Sequence, residues 1–230
     1  MKTQRFFGIC IVLVLVTLPA FAQVSDPWQR AVEHFSNSLD LYPGEVVTHF
    51  ELRNGKGETE EVTVTTSRVH EDAQGEITSV IEKVIFNGKD VTEEAIEKQK
   101  DDNIDFSKTS SLFHPENQGQ ISKTVLPEKR SIDNKICVGY EYSQKLEKET
   151  RNGTVWINKE TGIPVENVFT PDPLPKHAKT LENHVTFSYN PDGSFYVDRV
   201  RVQGEGGMLF IKKQFRMEMT FKQYWKQEPR

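Results

Sequence analysis

The chain has almost no cysteine. Of its two, Cys10 and Cys137, the first lies in a leader expected to be removed, so the mature chain has no internal disulfide. Cys137, in "NKICVGYEY", has no histidine nearby in sequence of the kind a catalytic thiol uses. It reads as a small apolar side chain on a strand. A basic excess is missing too: 29 Lys and Arg face 34 Asp and Glu, for a net charge of −5. No basic stripe is interleaved with aromatics, which argues against nucleic acid as a partner. Nucleophile elbows, phosphate loops, zinc spacings and calcium loops are all absent. The six histidines (34, 49, 70, 114, 177 and 184) are scattered without ligand spacing. The sequence therefore predicts no enzyme, no metal site and no cofactor.

Long apolar runs are absent except at the start. Lys2 and Arg5 precede an apolar stretch from Gly8 to Leu18, and Ala20-Phe21-Ala22 offers the small residues a signal peptidase reads. The run is too short to span a bilayer comfortably, so it reads as a signal peptide (residues 1–22) cleaved after Ala22. The expected product is a single domain, residues 23–230, periplasmic or secreted, with no transmembrane segment left after cleavage.

After the leader, "SDPWQRAVEHFSNSL" predicts a helix with Asp26 or Ser25 as its cap and Pro27 in its first turn. Trp28, Ala31, Val32, Phe35 and Leu39 recur on one face. From Glu45 the period becomes two: Val46, Thr48, Phe50 and Leu52 share a face, and "NGKG" at Asn54 to Gly57 predicts a hairpin. Two further strands and a short charged helix capped by Asp90 or Thr92 follow. The polar stretch Asn103 to Lys123 reads as an ordered connection pinned by Leu112 and Phe113, or as a movable lid. Strands return from Thr124. "NGT" at Asn152 to Thr154 predicts a turn, and "TPDPLPKH", with its three prolines, predicts a loop. "GEGG" at Gly204 to Gly207 predicts a bend between strands. "MLFIKKQFRMEMTFKQYW" then alternates Leu209, Ile211, Phe215, Met217, Met219 and Phe221 with polar residues. If unbroken it is a strand of roughly 50 Å, which must bend.

A long antiparallel series with one amphipathic helix at its head buries a face most economically by curling round that helix. A transmembrane barrel is disfavoured by charges on the outward strand faces. The predicted class is mainly β with a few helices (α+β), a curved antiparallel half-barrel wrapped on the N-terminal helix.

The run "VWINKETGIPVENV" carries a resemblance. Trp156-Ile157-Asn158-Lys159-Glu160-Thr161-Gly162-Ile163-Pro164 is similar to the W-I-D-x-x-T-G-L-P type turn common in the LolA/LolB-like lipoprotein-carrier superfamily. The layout of most of the mature chain resembles that group as well. The resemblance implies an incomplete β-barrel whose apolar concavity shelters acyl chains, in carriers, receptors or lipid sensors. No gating arginine aligns, and the Asn103 to Lys123 stretch is polar where carrier lids are apolar.

The expected ligand is hydrophobic, a lipid or lipoprotein acyl chain, held on a concave face by Trp156, Phe187, Phe215, Met217, Met219 and Phe221. Methionine suits such a surface because its unbranched thioether chain adapts to irregular partners. Two alternatives stand: an envelope protein-interaction scaffold whose cavity is packed, and an exported hydrolase built on convergent histidines such as His114, His177 and His184.

Overall fold

The computed structural model describes residues 26–98, 108–207 and 212–228. The leader with its cleavage site, residues 103–107 of the polar connection, and Leu209 and Ile211 lie outside the described residues.

Helix α1 (Pro27–Ser36) opens the described chain, and Trp28, Ala31, Val32 and Phe35 bury its apolar face. Proline at its first position forfeits no hydrogen bond. Asp26 occupies the cap position, but its side chain caps nothing; the carboxylate accepts from the Tyr140 hydroxyl instead. The helix is also shorter than the sequence pattern. It stops at Ser36, Ser38 turns inward to accept from the Phe195 amide at 3.0 Å, and Leu39 is left exposed.

After β1 (Leu41–Tyr42), which lies outside the main sheet, β2 (Glu45–Asn54), β3 (Thr59–Glu71), β4 (Ile77–Phe86) and β5 (Lys89–Asp90) run outward to one sheet edge, where α2 (Thr92–Lys98) follows. Asp90 accepts from the Thr92 amide at 3.0 Å, as its capping position predicts. The chain resumes at Lys108, passes a 3-10 helix (Pro115–Gln120) and starts again at the opposite edge. There it forms β6 (Ile121–Ile132), β7 (Lys135–Lys145), β8 (Thr150–Asn158), β9 (Pro164–Asp172), β10 (Ala178–Tyr189), β11 (Phe195–Gly206), β12 (Lys213–Lys222) and β13 (Trp225–Lys226). The main sheet has eleven antiparallel strands in the order β5-β4-β3-β2-β12-β11-β10-β9-β8-β7-β6. Two meanders are thus zipped together along β2 and β12. The sheet is curved and does not close into a barrel.

Four sequence expectations are corrected here. The last strand does not run on to Trp225: Gln223 takes φ 56°, and Trp225–Lys226 leaves the main sheet to pair with Leu41–Tyr42. "NGT" is mid-strand, because Asn152, Gly153 and Thr154 pair with both β7 and β9. "GEGG" is no bend either, since Gly204 to Gly206 pair with β10 and β12. The proline loop is shorter than its composition suggests. Thr170 to Asp172 still pair with β8, and Pro171 is tolerated because the pairing of β9 with β10 ends at Phe169.

Candidate functional site

Side chains alternate across a sheet, so direct register partners share a face. The face that meets α1 carries Tyr140, Tyr142, Val155 and Ile157, joined by Ile163 and Phe195 in one buried cluster with Trp28 and Phe35. Leu112 and Phe113 insert into the same cluster. They pin the segment after Lys108 to the core, as an ordered connection requires. The Phe113 ring lies 5.4 Å from Trp28 and 5.7 Å from Phe195, close enough to gain from edge-to-face contact.

Beside this cluster, where α1 ends, a cavity of about 340 Å³ opens on the sheet face that meets the helix. Phe35, Leu112, Phe113, Phe169, Val185, Phe187, Val200 and Phe221 line it, with Tyr142, Gln144, Asn167, Lys108 and Arg151 among its polar groups, beside three serines and two further tyrosines. Phe187 and Phe221, two of the six residues expected to bind a ligand, therefore reach it. Met217 and Met219 share the face of Phe221 on β12 but lie further along, half-buried, outside the cavity lining. Phe215 lies further still, in a separate shallow cleft with Leu181, Lys179 and Arg216.

Trp156 is on the other face of the sheet, a correction to its expected concave position. Val155 and Ile157 take the helix side, so the residue between them must point away. Its ring packs with Cys137, Val165, Leu126 and Ile132, lies across its register partner Gly139, and has the Arg130 guanidinium 5.5 Å from its centre. Burial pushes the Cys137 thiol above its ordinary pKa, away from the reactive thiolate.

The turn after Trp156 docks the helix. Asn158 Oδ1 accepts from the amides of Glu160 (2.8 Å) and Thr161 (3.2 Å), which frees the carbonyls of the turn to point outward. Arg30 of α1 donates to Glu160 O and, at 2.6 Å, to Lys159 O. His34 Nε2 lies 3.0 Å from Thr161 O. Gly162, with φ 76°, completes the seat: a Cβ there would collide with the side chain of Arg30. The N-x-x-T-G-x-P composition is thus the chemistry of a helix seat.

The cavity's polar rim is largely self-satisfied. Lys108 Nζ donates to the carbonyls of Ser38, Leu39 (3.0 Å) and Leu41 (2.6 Å), and burial lowers its pKa to about 8. Arg151 pairs with Glu149 at 2.7 Å and donates to Ser110 O at 3.2 Å. Burial pushes the Tyr142 phenol up to about 12, and its hydroxyl donates to Asn167 Oδ1 at 3.0 Å. Asn167 escaped the sequence reading. Alternation gave no clean signal: Phe169 shares the face of Asn167, but a register irregularity at Val165 turns that side chain toward Trp156 instead.

The three histidines considered for hydrolysis fall on separate elements. His114 accepts from the Glu116 amide at the start of the 3-10 helix, His177 sits at φ 73° between β9 and β10, and His184 faces Glu166 at 3.2 Å on the side of Trp156. Among the described residues no group of three or more His, Cys, Asp or Glu could hold a metal ion. Among the same residues no helix is long and apolar enough to cross a membrane.

No protein-family model matches the chain, and no curated protein matches it. Two solved structures are similar over most of their length. One is a DUF1329 family protein from Desulfovibrio piger ATCC 29098, 13% identical, with 86% of this chain and 94% of that chain covered at a TM-score of 0.35. The other is the Pseudomonas aeruginosa MucA/MucB complex, 7% identical, with 88% and 98% covered at a TM-score of 0.25. The class of protein defined here rests on the molecule itself: an open, curved antiparallel sheet with a helix seated on its concave face and an apolar cavity beside that helix.

Proposed function

We propose that the chain is an exported, non-catalytic binding protein that holds a hydrophobic ligand, a lipid or lipoprotein acyl chain, in the cavity beside α1. The observation that carries this reading is the cavity's lining. Aromatic and branched aliphatic side chains make up most of the wall of an open cavity of about 340 Å³, at the lower end of the size range of small-molecule sites. Reversible burial of acyl CH₂ groups, each worth about 0.8 kcal/mol, supplies the affinity. Phe187 and Phe221 contact the chain directly, while Phe215, Met217 and Met219 extend the same apolar face for a longer one. Export follows from the leader, with cleavage after Ala22 and one domain from Gln23 onward, in the periplasm or outside the cell.

Native mass spectrometry and lipid extraction after purification without detergent test the reading. Co-purifying acyl lipid is expected. A dry interior that takes up no added chain contradicts it. The second reading, an envelope scaffold with a packed interior, is favoured by one observation: Phe113, Phe187 and Phe195 already interlock ring to ring on the cavity wall. Crosslinking to an envelope protein that persists in Val185→Trp, where the cavity is filled, supports that alternative.

A further inference from the structure

Asn167 is the one amide in an apolar row that runs straight across the concave face. Register partners place Tyr140, Val155, Asn167, Val185, Val200 and Met219 side by side on six neighbouring strands. The residue is 6% exposed and lines the cavity, and its side chain receives one hydrogen bond, from the Tyr142 hydroxyl. A buried phenol must donate. Asn167 Oδ1 is its acceptor, so the amide is oriented with its nitrogen turned away from Tyr142. That nitrogen carries two donors and makes no hydrogen bond among the described residues.

We propose that Asn167, held in orientation by Tyr142, is a polar subsite for the neutral carbonyl oxygen of an acyl ester or amide. The inference rests on the cavity reading above and narrows its ligand from any greasy chain to an acyl chain with its carbonyl drawn inside. A free carboxylate fits less well, because the two cations of the cavity are already engaged. Lys108 spends its three N–H bonds on three backbone carbonyls, and Arg151 is neutralised by Glu149. A plain hydrocarbon leaves the Asn167 nitrogen buried and unpaired.

The test compares three probes of equal chain length: methyl decanoate, decyl methyl ether and decanoate. Each displaces 1-anilinonaphthalene-8-sulfonate from the purified protein and from Asn167→Leu. One neutral hydrogen bond predicts that the ester binds about threefold to tenfold more tightly than the ether. The preference is expected to vanish in Asn167→Leu while ether binding persists. Should that variant fail to fold, Asn167→Ser, which keeps a polar group near Tyr142 but cannot reach the ligand, is expected to lose the preference instead. Equal binding of ester and ether overturns the carbonyl subsite and leaves the cavity reading intact. A preference that survives both variants overturns the role of Asn167, and decanoate binding tighter than the ester overturns the neutral class. No binding of any probe removes the cavity reading, and this inference with it.

Discussion

Gly162 and Arg30 are in contact across 132 positions of sequence, and the contact leaves no room for a side chain at position 162. The glycine also holds φ 76°, a conformation that other residues adopt at a cost. Two elements far apart in the chain, α1 and the β8–β9 turn, are joined at this point.

Gly162→Ala therefore strains the backbone and pushes Arg30 from its seat together. The expected loss is on the order of 1–3 kcal/mol. A urea titration reads it as a lower midpoint at unchanged slope. An unchanged midpoint would show that the turn does not hold the helix.

Trp156 separates stability from binding. Trp156→Ala removes a large ring packed over Gly139 and is expected to destabilise by about 3–5 kcal/mol. Because the ring is on the face opposite the cavity, methyl decanoate affinity is expected to stay within about twofold of wild type for the folded fraction, a tolerance of well under 1 kcal/mol. Val185→Trp reverses the pattern, filling the cavity and lowering affinity by about tenfold or more, as the loss of two buried CH₂ groups already would. Thermal melts and dye displacement on the same preparations distinguish the two.

Much of this was legible in the sequence, and the exceptions share a cause. The spacing of Trp28, Ala31, Val32 and Phe35 identifies the buried face of α1, and "NGKG" identifies its hairpin, because both signals are local. Alternation correctly opposes Trp156 to Val155 and Ile157, yet it cannot say which face meets the helix when both faces carry large apolar groups. Asn167 was invisible for a similar reason. An asparagine in a strand looks solvated until its cross-strand neighbours, Val155 and Val185, are known. Glycines were misread as turns where they clear space for a partner: Gly153 lies beneath Phe169 and Gly204 beneath Phe215, each pair in direct register.

Stability is expected to rise with pH between about 8 and 10.5 and to fall above it. Burial lowers the Lys108 pKa to about 8 in the folded chain, against an ordinary lysine value of 10.5. In that window the unfolded chain binds more protons, so raising the pH favours folding, by at most about 1.4 kcal/mol per pH unit. Tyr140, Tyr142 and Tyr224 act oppositely. Burial raises all three above 10, so folding resists their ionisation, and stability is lost as pH climbs beyond that value. Urea midpoints across pH 7 to 11 check both limbs, and Lys108→Met is expected to flatten the rising one.

The most direct measurement is photolabelling with a ten-carbon acyl methyl ester bearing a diazirine at its far end, followed by peptide mapping of the crosslinks. Labels are expected on Phe187, Phe221 and Val200, away from the ester end, with Val185→Trp suppressing them. Labels concentrated around Trp156 and Cys137, or along the β6 edge, would contradict a ligand seat beside α1.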